Sequence, residues 1–94
     1  MAEERKAVRA RITGRVQGVA FRWWTRRQAE ALGLDGWVRN EADGSVTALI
    51  AGGAGAVDAM VRLLEDGPEA AVVIGVETEE VAVPEGPTGF RVTG

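Results

Sequence analysis

The 94-residue sequence contains no cysteine and no histidine. Without cysteine, the chain can form neither disulfide bonds nor thiolate ligands for a metal ion. Without histidine, it lacks the commonest metal ligand and the commonest general base at neutral pH. We therefore predict that this protein uses neither a metal nor a cofactor.

A long apolar run is also missing, so no segment of the sequence is expected to span a membrane. The first six residues, Met-Ala-Glu-Glu-Arg-Lys, are charged and lead into no apolar segment, which argues against a signal peptide. Hydrophobic residues make up 46% of the chain, which is enough for one modest core. We expect a single domain over residues 1–94, in a monomeric cytoplasmic protein without a membrane partner.

Charge is distributed unevenly along the chain. Residues 1–40 carry nine Arg or Lys and four Asp or Glu, a net charge of +5, whereas residues 41–94 carry two and ten, a net charge of −8. Together these give the overall net charge of −3. A basic half can bind nucleic acid or attract small anions. The alternative, which we favour, is that basic and acidic elements lie side by side in the fold.

One stretch combines features of an anion-binding loop. It runs from Gly14 to Arg22, between an alternating segment that predicts a strand (residues 8–13) and a segment without Gly or Pro that predicts a helix (residues 23–32). Glycine permits positive φ and close approach of a ligand to the main chain. Successive loop amides that lead into a helix can cradle an anion, and Arg22 adds a fork of donors suited to phosphate. The alternative is that the stretch is an ordinary turn with a solvated arginine, since it matches neither the P-loop motif nor the dinucleotide-binding motif.

The remaining pattern predicts a β-α-β-β-α-β chain with a short appended strand. Further strands are expected at residues 34–40, 45–52, 72–83 and 90–92, and a second helix at residues 56–65. Such a chain builds an α+β sandwich with an antiparallel sheet and both helices on one face, and the first and third strands should be central. We expect the strand over residues 72–83 to break near Gly75, and its acidic residues to protect an exposed edge. These acidic residues are Glu77, Glu79 and Glu80.

Each predicted helix has one apolar face. In the first, the spacing of Phe21, Thr25, Ala29 and Leu32 predicts the buried side, and Gly33 is placed to end the helix. Trp23 and Trp24 are interpreted as core and rim aromatics. In the second helix, the buried stripe comprises Val57, Met60, Val61 and Leu64.

Two motifs resemble those of the acylphosphatase family. The first runs from Ile12 through Gly14-Arg15-Val16-Gln17-Gly18-Val19 to Phe21-Arg22. The second is Gly36-Trp37-Val38-Arg39-Asn40, followed by Asp43-Gly44, Val46 and Gly52. Thr88-Gly89-Phe90 is similar to the family's ending. The resemblance covers essentially the whole chain and implies a ferredoxin-like fold and the hydrolysis of small acyl phosphates to a carboxylate and inorganic phosphate.

The resemblance also implies a role for individual residues. Arg22 would bind the phosphoryl oxygens, and Asn40 would orient the attacking water. Inorganic phosphate or sulfate should occupy the same place as product or analogue. The main-chain amides expected to complete the cradle are those of Gln17, Gly18, Val19, Ala20, Phe21 and Arg22.

The chemistry of these residues is compatible with that reaction. A carboxylate has a pKa of roughly 4, so it leaves an acyl phosphate without needing a general acid. Phosphoryl transfer passes through a loose transition state, so the water needs positioning more than deprotonation. Fixed backbone donors and one guanidinium can stabilise charge on the equatorial oxygens.

A non-catalytic ferredoxin-like module that binds an anion or RNA is the alternative. RNA-recognition domains share this order of elements but stack bases on aromatic residues of their two central strands. Residues 8–16 and 45–52 contain no aromatic residue, so we expect no nucleic-acid partner.

Overall fold

The computed structural model describes residues 4–94, and residues 1–3 of the charged opening segment lie outside this range. The order of elements is the predicted one, although both helices begin two residues earlier than expected. In chain order the elements are β1 (Arg5–Arg15), α1 (Phe21–Ala31), β2 (Asp35–Asn40), β3 (Val46–Gly53), α2 (Ala54–Asp66), β4 (Val72–Val81) and β5 (Phe90–Thr93).

The five strands form one sheet in the order β4-β1-β3-β2-β5, so the first and third strands lie inside it as predicted. The pairs formed by β1 with β3, β1 with β4 and β2 with β3 are antiparallel. The pair of β2 with β5 is parallel, which corrects the expectation of a purely antiparallel sheet. The reason is the path of the chain: after β4 at one edge it crosses to the other edge and returns in the direction of β2.

Strand β4 does not break at Gly75, so that prediction was wrong. Thr13 pairs with Gly75 and Gly14 pairs with Val73, which leaves Ile74 as one extra residue in β4. An antiparallel pair can absorb one such residue as a β-bulge without ending the strand. Glycine is required at position 14 because its φ is +121° and a Cβ atom there would lie 2.2 Å from the main-chain oxygen of Val72.

A single apolar core separates the sheet from the two helices. On β1 the buried residues Val8, Ala10 and Ile12 alternate with exposed arginines, as predicted for a strand with one wet face. Helix α1 buries Phe21, Thr25 and Ala29, and α2 buries Val57, Met60 and Leu64. These side chains join those of the sheet in one cluster. None of the helices within residues 4–94 has the length and hydrophobicity needed to cross a membrane.

The acidic side chains of β4 lie at an edge of the sheet, in agreement with the prediction. Glu79 pairs with Arg9, and Glu77 lies 3.4 Å from Arg11, both on the neighbouring strand β1. The basic and acidic parts of the sequence are therefore adjacent here, as the favoured interpretation of the charge pattern requires. Both pairs are largely exposed, so each contributes little to stability.

Candidate active site

A pocket of about 180 Å³ lies where the β1–α1 loop, the start of α1 and the end of β2 meet. It brings together the loop backbone, Arg22 and Asn40, which are 18 residues apart in the sequence. The residues lining it are Val16, Gly18, Ala20, Phe21, Arg22, Trp23 and Asn40. The two sequence motifs thus contribute to one pocket.

The loop backbone has the conformation of an anion cradle. Gly18 has φ +74° and Ala20 has φ +59°, so left-handed residues occupy alternate positions. Such geometry can gather successive main-chain N–H groups into a concave anion site. Helix α1 starts directly after Ala20, whose oxygen accepts the first helical bond from Trp24 N at 3.0 Å. Within residues 4–94, no acceptor takes a hydrogen bond from the amides of residues 17–22.

Arg22 is held at the pocket by the end of β5. Its Nη1 donates to the main-chain oxygens of Gly94 at 2.8 Å and Thr93 at 3.3 Å. In the part of the chain that the structure describes, Nη1 is the only atom of this guanidinium with an acceptor. The Nε and Nη2 donors are therefore available to a ligand, and the two anchoring bonds restrict the orientation of the fork.

Asn40 is the last residue of β2 and pairs with Val46 of β3. Its side-chain Oδ1 is buried and accepts no hydrogen bond from the residues described. A buried acceptor without a partner is unfavourable, so this oxygen lacks a hydrogen-bond donor that the described residues do not supply.

Gln17 and Val19 do not line the pocket. The side chain of Val19 packs against the core. The side-chain Nε2 of Gln17 donates to the main-chain oxygens of Glu41 at 2.8 Å and Ser45 at 2.9 Å, and so ties the loop to the β2–β3 turn. The sequence motifs assign only the main-chain amide of Gln17 to the site. Nothing in the local pattern could reveal acceptors 24 and 28 residues away.

The β2–β3 turn that receives Gln17 is itself braced by Asp43. Its Oδ1 accepts hydrogen bonds from Ser45 Oγ at 2.6 Å and Ser45 N at 3.0 Å, and its Oδ2 accepts one from Arg11 at 2.8 Å. The hydrogen bonds from Ser45, followed by that from Arg11, hold the pKa of the Asp43 carboxyl well below its usual range. The charged form of Asp43 therefore braces the turn beside Asn40.

The described residues contain no group of three or more His, Cys, Asp or Glu side chains placed to hold a metal ion. The pocket does include two side chains that the motifs did not assign, Val16 and Trp23. Val16 is buried, but Trp23 is 54% exposed. Only the fold shows that Trp23 lies at the pocket, since the sequence pattern grouped it with Trp24 as core and rim aromatics.

The model of one protein family, described as Acylphosphatase, matches residues 8–92. The chain belongs to the acylphosphatase family. It is 60% identical to the acylphosphatase of Rhizobium meliloti (strain 1021) over 99% of this chain and 98% of that protein. It is 57% identical to the acylphosphatase of Rhizobium etli (strain ATCC 51251 / DSM 11541 / JCM 21823 / NBRC 15573 / CFN 42) over the full length of both chains.

Among solved structures, that of an acylphosphatase from Coxiella burnetii superimposes with a TM-score of 0.90 at 36% identity, covering 95% of this chain and 93% of the other. The fold and the sequence therefore agree on the same family over essentially the whole domain. The acylphosphatase fold is the ferredoxin-like α+β fold that the sequence predicts. This protein is accordingly an enzyme of the acylphosphatase type.

Proposed function

We propose that this protein hydrolyses acyl phosphates to a carboxylate and inorganic phosphate, without a metal or cofactor, in the pocket between the β1–α1 loop and β2. The observation that carries the proposal is that Arg22, Asn40 and the loop backbone line one pocket in a chain of this family. A monomeric cytoplasmic enzyme that binds no nucleic acid is part of the same proposal.

The phosphoryl group would be held by the loop amides of residues 17–22 and by Arg22. The amides within this stretch have no acceptor among the described residues, and the helix start adds a favourable dipole for an anion. The guanidinium contributes the donors that Gly94 and Thr93 leave unoccupied. Because these donors are fixed before the substrate arrives, they can stabilise the transition state without reorganising.

Asn40 would position the nucleophile. Its Oδ1 would accept a hydrogen bond from a water whose oxygen faces the phosphorus. The water oxygen forms a bond to phosphorus while the bond from phosphorus to the acyl oxygen breaks, and the carboxylate departs with the bonding electron pair. Both protons of the water stay with the phosphate, which leaves as dihydrogen phosphate before it equilibrates with solvent. An amide suits this role since it does not titrate.

The reaction demands little acid–base chemistry. Carboxylates have a pKa of roughly 4, so the leaving group departs unprotonated at neutral pH. Alkyl phosphates release a far more basic alkoxide and would need a general acid, for which the pocket lining offers no carboxyl or imidazole group. The site is therefore expected to select acyl phosphates over alkyl phosphates.

Steady-state turnover of acetyl phosphate and benzoyl phosphate, with alkyl phosphates as controls, tests the proposal. We expect both acyl phosphates to be hydrolysed in the presence of a chelator, competitive inhibition by phosphate and sulfate, and no measurable turnover of the alkyl phosphates. Sulfate should also raise the melting temperature, since a ligand at one hundred times its Kd adds about 2.7 kcal/mol. Absence of turnover, or equal turnover of the alkyl phosphates, would contradict the proposal. A salt-dependent shift with single-stranded RNA would favour the binding module instead.

A further inference from the structure

We infer that Trp23 determines specificity for the acyl group, by contacting it at the mouth of the pocket and favouring acyl phosphates with a flat apolar acyl group. The inference rests on the proposed function, because it assumes that the phosphoryl group occupies the cradle. It concerns the part of the substrate that the motif residues do not hold.

Trp23 is exposed at a place where exposure is unusual. Among residues 4–94, the large exposed hydrophobic residues are Trp23, Val72 and Ile74, with 54%, 58% and 80% of their surface accessible. Val72 and Ile74 belong to the edge strand β4, away from the pocket. Only Trp23 combines a large exposed apolar surface with a position in the pocket lining.

The neighbouring aromatic residues of α1 face elsewhere. Phe21 is 1% exposed and lies in the core. Trp24 packs against Phe21 with ring centroids 5.5 Å apart, so its ring serves the core as well. Trp23 makes no ring contact with another aromatic residue in the described part of the chain. Its contact is with the guanidinium of Arg26, whose Cζ lies 5.8 Å from the ring centroid.

The proposed roles of the pocket residues indicate where the acyl group must go. If Arg22 and the loop amides hold the phosphoryl oxygens and Asn40 holds the attacking water, the leaving group lies opposite that water and points outward. Trp23 directly follows Arg22 and is the largest side chain of the pocket lining. An aromatic acyl group that meets the indole would bury apolar surface and gain the offset or edge-to-face contact that aromatic rings prefer.

A small acyl group such as acetyl would make little use of this surface. The effect of Trp23 should therefore depend on the substrate rather than act uniformly on the reaction. Removing the indole should lower kcat/KM for benzoyl phosphate by about three- to tenfold, the range expected for one aromatic pair, and leave kcat/KM for acetyl phosphate nearly unchanged. Binding of inorganic phosphate, which touches only the cradle, should not change.

The experiment compares kcat/KM for benzoyl phosphate and acetyl phosphate in wild type, Trp23→Ala, Trp23→Phe and the control Ile74→Ala. Intrinsic reactivities of the two substrates cancel when their ratio is compared between variants. We expect the benzoyl-to-acetyl ratio to fall about three- to tenfold in Trp23→Ala, to fall less in Trp23→Phe and to stay unchanged in Ile74→Ala. The inhibition constant of phosphate should be the same in all four proteins.

Binding of two non-hydrolysable analogues, phenacylphosphonate and acetonylphosphonate, provides a second readout that needs no turnover. Trp23→Ala should lose affinity for the phenacyl compound only. If acyl phosphates are hydrolysed but neither the ratio nor the analogue preference changes in Trp23→Ala, the role of Trp23 is overturned while the proposed function stands. If no acyl phosphate is hydrolysed, the proposed function fails, and the analogue comparison alone decides about Trp23. Should Trp23→Ala not fold, the graded loss in Trp23→Phe replaces it, and an unchanged ratio there overturns the inference.

Discussion

The side-chain Nε2 of Gln17 lies 2.8 Å from the main-chain oxygen of Glu41, the residue that follows Asn40. This hydrogen bond joins the loop proposed to hold the phosphate to the strand proposed to hold the water. The second bond from the same nitrogen, to Ser45, reaches the other side of the β2–β3 turn. One side chain that forms no hydrogen bond with Arg22 or Asn40 therefore helps to fix their relative position.

Replacing Gln17 by Ala should cost stability and activity together. Both carbonyl oxygens keep a main-chain donor, Gly44 N for Glu41 and Glu41 N for Ser45, so the loss in free energy of unfolding should be only about 1–2 kcal/mol. Urea denaturation measures it. The matched control is Gln28→Ala. Gln28 is a half-buried residue of α1 whose side chain forms no hydrogen bond with the described residues. We expect kcat to fall for Gln17→Ala alone, and equal behaviour of the two variants would show that the link is dispensable.

Substituting Arg22 by Lys should not restore the activity lost in Arg22→Ala. A lysine is a point charge and cannot reproduce a fork that contacts Gly94 and Thr93 while other donors face the ligand. Both variants should lose on the order of a hundredfold or more in kcat/KM, comparable to removing one preorganised donor. Arg27→Ala, an exposed arginine of the same helix, should stay near wild type. A lysine variant within about threefold of wild type would mean that position 22 supplies charge alone.

Asn40→Ala should lower kcat steeply and leave inhibition by phosphate nearly intact. Loss of an interaction used only in the transition state lowers kcat and kcat/KM together. Asn40→Asp keeps the shape but places a negative charge opposite an anionic substrate, so it should also weaken phosphate binding. Initial rates and phosphate inhibition constants separate these outcomes. If Asn40→Ala weakened phosphate binding as much as Asn40→Asp does, Asn40 would have to contact the phosphate rather than the water.

The rate should change little between about pH 5.5 and 8. The chain has no histidine and Asn40 does not titrate, so the proposed mechanism contains no catalytic group that ionises in this range. A pH series of kcat with acetyl phosphate, corrected for ionisation of the substrate, tests this. A bell-shaped profile centred near neutrality would reveal a general base and would contradict the proposal that Asn40 alone positions the water.

Asp43 should stabilise the fold only while it is charged. Its pKa in the folded protein is lowered by hydrogen bonds from Ser45 and Arg11, whereas the unfolded chain has a value of about 3.9. The stabilisation is therefore fully present above the unfolded pKa and is lost as the pH falls below about 4 towards the folded pKa. Asp43→Asn should be less stable than wild type at pH 7, and the difference in unfolding free energy should shrink below pH 4. A difference that is constant down to pH 2.5 would contradict the assignment.

Local patterns in the sequence determined the order of the elements and the faces they bury. The alternation along β1 and the helical spacing of Phe21, Thr25 and Ala29 depend on backbone periodicity, which acts within a few residues. The glycine loop and Arg22 were equally readable, since a cradle at a helix start is built from consecutive residues. Asn40 came from the family motif rather than from any local pattern.

The tertiary structure alone decided which distant groups meet. Local periodicity says which side of an element a residue occupies, but strand order and loop path decide its partner. The parallel pairing of β5 with β2 arises because the chain crosses the sheet after β4. The bulge at Ile74 arises because β4 has one more residue than β1 between two consecutive paired positions. The anchoring of Arg22 by residues 71 and 72 positions away follows from that same crossing. The link from Gln17 to the β2–β3 turn likewise exists only because β2 ends beside the loop, a contact between segments that no local periodicity encodes.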